Sequence, residues 1–393
     1  MTQNKLSADS KLLIIFSALR AITELFLGTF LISFLMQTSV NEIISVSTYR
    51  LFEYAATCAG FFLFANWCKR HNKVAVFALN AIPKIALLIA IILLGVDAPR
   101  YVIQLGVLYG IGAAMYYLPI NTMVGEKVPS NLMHRFIGIK NTTVYITKIA
   151  IPVVLGFFID TGSYISMAYV LLGLTILELG LAMTLTPSRH KNTTPVDFVG
   201  FAKCMLRFPV IKKMFAMEIL RGFGNGLLMS VITMYTVYIF QTNFNLGFLT
   251  TVFAAFSVIT SLGGGYICTK TNTPKIAMIC IAIIIAVMTV FISHVTPITF
   301  LVYNFMYATV ALLLDQICQT NMFKLSKSKC VTNNYKIEYF VFRDFALFIG
   351  RWMGFTGLMY IGVYGGYEWL RWYIIPSTIA IVIAGVLSIK LTK

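Results

Sequence analysis

Twelve runs of about twenty predominantly apolar residues, separated by short polar punctuation, leave this chain few ways to fold. They lie near 12–36, 43–66, 74–95, 101–124, 136–159, 164–186, 216–240, 246–269, 276–296, 299–322, 339–362 and 370–390. Each has the length of a helix crossing a hydrocarbon core of roughly 30 Å, whereas barrel strands would alternate in runs of about ten. Hydrophobic residues make up 59% of the 393 positions and charged residues 11%, more apolar surface than a soluble domain can bury. The expected fold is all-α and integral to a membrane, with twelve transmembrane helices. The first run is too long for a cleavable signal core and lacks a small-residue cleavage site, so it is expected to be retained as the first span.

The formal charge of +17 suggests nucleic acid until its distribution is considered. Twenty-one of the 31 Lys and Arg residues fall on one side of the twelve-span scheme, in loops such as "CKRHNK" (68–73), "SRHK" (188–191), "KTNTPK" (270–275) and "KLSKSK" (324–329); only Arg100 and Arg371 fall opposite. The positive-inside rule then makes both termini cytoplasmic and accounts for the basic excess without a nucleic-acid partner. The expected location is the bacterial cytoplasmic (inner) membrane. The seven cysteines are scattered, with no C-x-x-C pair and no histidine at metal-ligand spacing, and are expected to be core thiols. No metal and no cofactor are expected. A G-x-x-x-x-G-K-[ST] loop is absent, so the chain is not expected to be an enzyme hydrolysing ATP.

Eight basic residues remain inside the spans: Arg20, Arg50, Lys84, Lys140, Lys148, Arg221, Arg343 and Arg351. Facing lipid, each would cost about 2.5 kcal/mol or more, so each needs water or a partner. An internal repeat supplies a place for them. Laying span seven on span one puts Arg221 over Arg20 and Asn225 over Glu24, at an offset of 201. Laying span eleven on span five matches Lys140 with Arg343, Asn141 with Asp344 and Lys148 with Arg351, at an offset of 203. Lys73 and Lys275 end equivalent loops at an offset of 202. These matches predict two pseudo-symmetric six-helix halves, 1–187 and 216–393, joined by a polar linker, 188–215, whose "DFVGFAKCMLRFPVIKKM" mixes apolar and basic residues as an interfacial amphipathic helix does. The paired spans would surround a central cavity into which the charges point.

With twelve spans, two halves, a central cytoplasmic loop and both termini inside, the chain resembles the major facilitator superfamily over essentially its whole length. The family's short motifs are altered. "GFFLFANWCKRHNKV" (60–74) resembles the Gly-x-x-x-Asp-Arg-x-Gly-Arg-Lys signature, with Asn66 in place of the aspartate. "GVLYGIGAA" (106–114) resembles an antiporter motif with Gly106 at its arginine and Tyr109 at its glutamine, and "IPVVLGFF" (151–158) keeps the proline without the glycine pairs. "YYLPINTMVGEKVP" and "EYFVFRDFALFIGRWMG" resemble the uncharacterised bacterial YqgE-type branch. The resemblance implies a secondary transporter with a midplane site, and it places Tyr116 and Tyr117 on the cavity.

The expected substrate-binding set is Arg20, Glu24, Lys148, Arg221, Asn225, Arg351, Tyr116 and Tyr117. Basic residues outnumber acidic ones within the spans, which favours a small organic solute with an anionic group. Arg20 and Glu24 also fit a purely structural i,i+4 pair, and Arg50 and Glu53 an i,i+3 pair. Asn225 cannot neutralise Arg221, so Arg221 is expected to be left for the ligand. Glu178 and Asp315 have no basic neighbour at i±3 or i±4 and are candidates, with Glu53, for coupling to protons or another ion. The partners are thus a small-molecule substrate, a coupling ion and the lipid bilayer, and the chain is taken as a monomer. Two alternatives stay open: a proton-coupled exporter of amphipathic drugs or lipids, and a non-transporting scaffold or receptor.

Overall fold

The computed structural model describes residues 7–70, 73–161, 164–182, 194–240, 242–270, 273–294, 296–327, 331 and 335–391. Among them the chain is helical throughout. The first helices are α1 (Ala8–Leu25), α2 (Leu31–Thr38), α3 (Glu42–Arg70), α4 (Lys73–Leu79), α5 (Ala81–Leu94), α6 (Val102–Lys127), α7 (Met133–Thr161) and α8 (Tyr164–Ala182). A short helix α9 (Phe198–Arg207) leads into α10 (Pro209–Arg221), α11 (Leu227–Phe240), α12 (Asn243–Lys270), α13 (Thr273–Ser293), α14 (Pro297–Met306), α15 (Leu312–Leu325), α16 (Lys336–Tyr364) and α17 (Gly366–Leu391). Outward faces carry exposed aliphatic side chains such as Leu63, Leu93, Val170 and Ile259, which lipid would cover.

Eight helical stretches among the described residues are long and apolar enough to cross a membrane, fewer than the twelve expected from sequence. One of the eight, Lys73–Lys127, runs on through α4, α5 and α6. The helices α3 and α7 are absent from the eight; each carries charged residues along its length, Arg50 and Glu53 in α3, Lys140 and Lys148 in α7. Of the linker, 188–193 lies outside the described residues, while Asp197 caps α9 by accepting from the Gly200 N–H at 2.7 Å. Pro209 then starts α10, where its missing N–H costs nothing.

Glycine permits the closest helix approaches. A Cβ on Gly110 would sit 2.2 Å from the Glu53 carbonyl oxygen, so α6 and α3 pack backbone to backbone. Gly350 of α16 lies as tightly on α10, with a Cβ only 1.9 Å from the Ile219 carbonyl oxygen. The glycines of "GVLYGIGAA" therefore serve helix packing here. The N-terminal helices meet the C-terminal ones along two seams, α3 against α16 and α7 against α12. Beside the first seam, the Lys69 ammonium pairs with the fully buried Glu338 carboxylate and also donates to the Pro195 carbonyl at 3.2 Å, while the Asp197 N–H donates to Glu338 at 3.0 Å. Phe62, Phe198, Phe201 and Phe342 pack against one another, and the Phe62–Phe342 contact also joins α3 to α16.

Candidate functional site

A cavity of about 560 Å³ lies between the two seams, lined from both parts of the chain. Glu24 of α1, Tyr54 of α3, Tyr117 of α6 and Lys148 of α7 face Asn225, Asp315 of α15 and Arg351 of α16. Three π-helical segments, Phe26–Phe30, Gly222–Gly226 and Tyr307–Ala311, reach its wall through Gly28, Asn225 and Tyr307. An i→i+5 turn displaces backbone carbonyls from their usual partners. The Gly28 carbonyl instead accepts from Arg50 Nη2 at 2.7 Å.

Two of the charge pairs are local. Arg50 Nη1 donates to Glu53 at 2.7 Å and Arg20 Nε to Glu24 at 3.1 Å. The others join distant helices. Arg221 donates to Asp315 Oδ1 through Nε at 2.9 Å and Nη2 at 2.7 Å, and to Glu218 through Nη1 at 2.6 Å. Asn225 donates to the same Asp315 oxygen at 2.6 Å, and Gln319 to the other at 2.6 Å. Glu218 also accepts from Arg343 Nε at 3.1 Å. Lys84 pairs with Glu178.

These contacts correct several expectations. Arg221 is not left without a carboxylate, because Glu218 and Asp315 both reach it. Asp315 and Glu178 are not unpaired, since their basic partners, Arg221 and Lys84, are each 94 residues away, beyond any i±4 rule. Arg20 is 2% exposed and lies behind the wall, its guanidinium over Tyr109, Tyr116 and Tyr117 at 5.0–5.7 Å. Tyr116 is buried with it and bonded to the Phe16 carbonyl, while Tyr117 reaches the cavity and donates to Glu24.

The described residues leave three cavity cations without a carboxylate within ion-pair distance. These are Lys140, Lys148 and Arg351. Lys148 lies over the Tyr145 ring at 5.6 Å and Arg351 over the Tyr54 ring at 4.1 Å. The buried Nε of Arg351 has no hydrogen-bond partner. The sequence-based set omitted Lys140, Asp344, Glu218 and Tyr54. The repeat signalled the first two, as mates of Arg343 and Asn141. Glu218, one turn before Arg221, was visible as an i,i+3 pair.

The model of the Major Facilitator Superfamily matches residues 13–330. The chain belongs to that family. It is accordingly a multi-pass membrane transporter. No curated protein matches the sequence. Two solved structures share the fold, both crystal structures of a bacterial homologue of the iron transporter ferroportin in an outward-facing state, one of them with soaked iron. The iron-soaked structure has a TM-score of 0.71, and the chains cover 99% of this one and 100% of that; the other gives 0.64 with 98% and 100%. Identity is 13% in both, so the likeness is one of fold alone. The family match reaches the superfamily and not the YqgE-type branch.

Proposed function

We propose that this transporter carries a small organic anion by alternating access, with two six-helix halves, 1–187 and 216–393, rocking about the cavity between them. Twelve spans, with α9 in a cytoplasmic linker, fit the repeat. The observation that carries the reading is the wall itself: among the described residues Lys140, Lys148 and Arg351 have no carboxylate within ion-pair distance, while of the wall carboxylates Glu24, Glu53 and Asp315 are each already held by an arginine. An unneutralised cation in a low-dielectric cavity is costly, and an anionic ligand removes that cost. Metal transport, suggested by the iron-soaked fold relative, is poorly served by such a wall. Among the described residues no group of three or more His, Cys, Asp or Glu side chains could hold a metal ion. Uptake into proteoliposomes of a panel of carboxylates against divalent cations tests the reading; saturable uptake of cations with none of anions would overturn it.

Coupling to protons is the simplest energy source, and Asp315 is the best-placed carboxylate. Protonating it would loosen Arg221 and Asn225, which converge on one of its oxygens, and so alter the cavity wall. Glu178 is buried off the wall against Lys84, and Glu53 is held by Arg50. We expect Asp315→Asn to abolish gradient-driven accumulation while substrate exchange across the membrane persists. Accumulation surviving in both Asp315→Asn and Glu178→Gln would turn the search to Glu24, Glu53 or another ion.

The basic loops orient the chain with both termini in the cytoplasm of a bacterial inner membrane. Tags at the N-terminus, near Lys191 and at the C-terminus should all be protected from an impermeant reagent added outside the cell. Labelling of any one would break the twelve-span scheme.

A further inference from the structure

One face of α16 carries two opposite charges that the helix itself keeps apart. Asp344 and Arg351 both line the cavity and lie seven residues apart, so they share a face at about 10.5 Å of helical rise. Side chains of opposite charge close readily across one turn, at i,i+3 or i,i+4, and not across two. The ion pairs nearby among the described residues join Arg221 to Glu218 and Asp315, and Arg343 to Glu218, and include neither. Asp344 and Arg351 nevertheless interact electrostatically with each other, and the Cys58 thiol of α3 lies within range of both.

Each of the two lacks what the other end of a dipolar solute would supply. Arg351 is stacked over Tyr54 at 4.1 Å and its buried Nε has no hydrogen-bond partner, so a planar, under-compensated guanidinium stands in the wall in the geometry that suits a carboxylate. Asp344 is 5% exposed, and an ionised carboxylate so buried needs a cation or several donors. Arg343, next to it in sequence, is already engaged by Glu218 at 3.1 Å. The repeat mate of Asp344 is Asn141, so the negative charge belongs to one half alone and is not demanded by packing that the halves share. Helical side chains lean toward the N-terminus, which brings the longer Arg351 back toward Asp344. The gap between the charges is therefore shorter than the helical rise, yet too wide for an ion pair.

We infer that the transported solute is an α-amino acid, its carboxylate taken by Arg351 and its ammonium by Asp344. This rests on the anion reading above, whose carboxylate it keeps, and adds a cationic group on the neighbouring carbon. An ammonium and a carboxylate on one carbon, each about 2.8 Å from its partner, fill a gap of several ångströms and satisfy both side chains at once. A simple carboxylate would satisfy Arg351 and set a second negative charge beside Asp344.

The test is thermal unfolding of the full-length protein in detergent at constant ionic strength, titrated with two matched pairs, L-glutamate against glutarate and L-alanine against propionate, and with manganese(II). The members of each pair differ only in the α-ammonium group. At least one amino acid should shift the midpoint saturably, at concentrations about ten- to a hundredfold below those its partner needs, the scale of one charge-assisted contact. Asp344→Asn removes both the ammonium's partner and the repulsion of a bare carboxylate, so in this variant the ratio should fall to near one. If Asp344→Asn does not fold, Asp344→Ser removes the charge with a smaller side chain and should do the same. A preference for the amino acid that persists without the Asp344 charge would overturn the assignment. Glutarate and propionate matching their amino acids in the unaltered protein would also overturn it, while leaving an anion site standing. A shift with manganese(II) and none with any of the four carboxylates would overturn the anion reading and this inference with it.

Discussion

Replacing Glu218 with Ala should destabilise the protein by about 3–5 kcal/mol, the range for removing one partner from a buried charge network. The side chain is fully buried and binds two guanidiniums, Arg221 at 2.6 Å and Arg343 at 3.1 Å. Without it Arg343 loses its carboxylate and Arg221 keeps only Asp315. Glu218→Gln should cost less, since the amide oxygen still accepts one bond while the charge is lost. Arg351→Ala provides the contrast, because removing a cation with no carboxylate partner relieves an uncompensated charge; its stability should change far less while binding falls. Thermal unfolding of the three variants in one detergent decides the matter. A loss below about 1 kcal/mol for Glu218→Ala would show that water compensates the two arginines and that the site is wetter than its burial implies.

How far the sequence revealed this network depends on where each partner lies. The pairs Arg20–Glu24 and Arg50–Glu53 fall within one helical turn and are visible by spacing alone. Arg221–Asp315 and Lys84–Glu178 bridge helices 94 residues apart, and Lys69–Glu338 spans 269. No periodicity rule reaches those distances. The repeat did better, because a duplicated helix carries its charged positions with it. Lys140, Lys148, Arg343 and Arg351 all reach the cavity wall. It could not say which charges were already satisfied. Asn225 was taken to leave Arg221 free, whereas Asp315 approaches from α15 and binds both. Gly106, standing where a related motif has arginine, was legible only as a departure; the structure gives its reason, since a Cβ there would sit 2.6 Å from the Tyr49 carbonyl oxygen.

Opening of the end closed by Lys69 and Glu338 should be the largest conformational effect of any single substitution. This pair joins α3 to α16, as the Phe62–Phe342 ring contact also does, and engages the linker through the Pro195 carbonyl and the Asp197 N–H. Any rocking that separates α3 from α16 at this end must break it, so its free energy enters directly into the equilibrium between closed and open forms. Glu338→Gln removes the charge partner and leaves the Lys69 ammonium buried. A loss of about 3–5 kcal/mol in the closed form corresponds to a shift of roughly 10²–10⁴ in that equilibrium. The readout is the rate at which a maleimide labels Ser326→Cys, a buried position near Gly125 and Phe340, in a background without the native cysteines. Glu338→Gln should accelerate labelling by at least about tenfold. The double variant Lys69→Met, Glu338→Leu should restore slow labelling, because a buried ion pair can be replaced by apolar side chains of similar volume at little cost, whereas a half-pair cannot be tolerated. Unchanged labelling in the single variant would mean that the rings alone hold this end shut. A double variant as open as the single one would mean that the linker contacts to Lys69 and Glu338, and not their mutual attraction, close it.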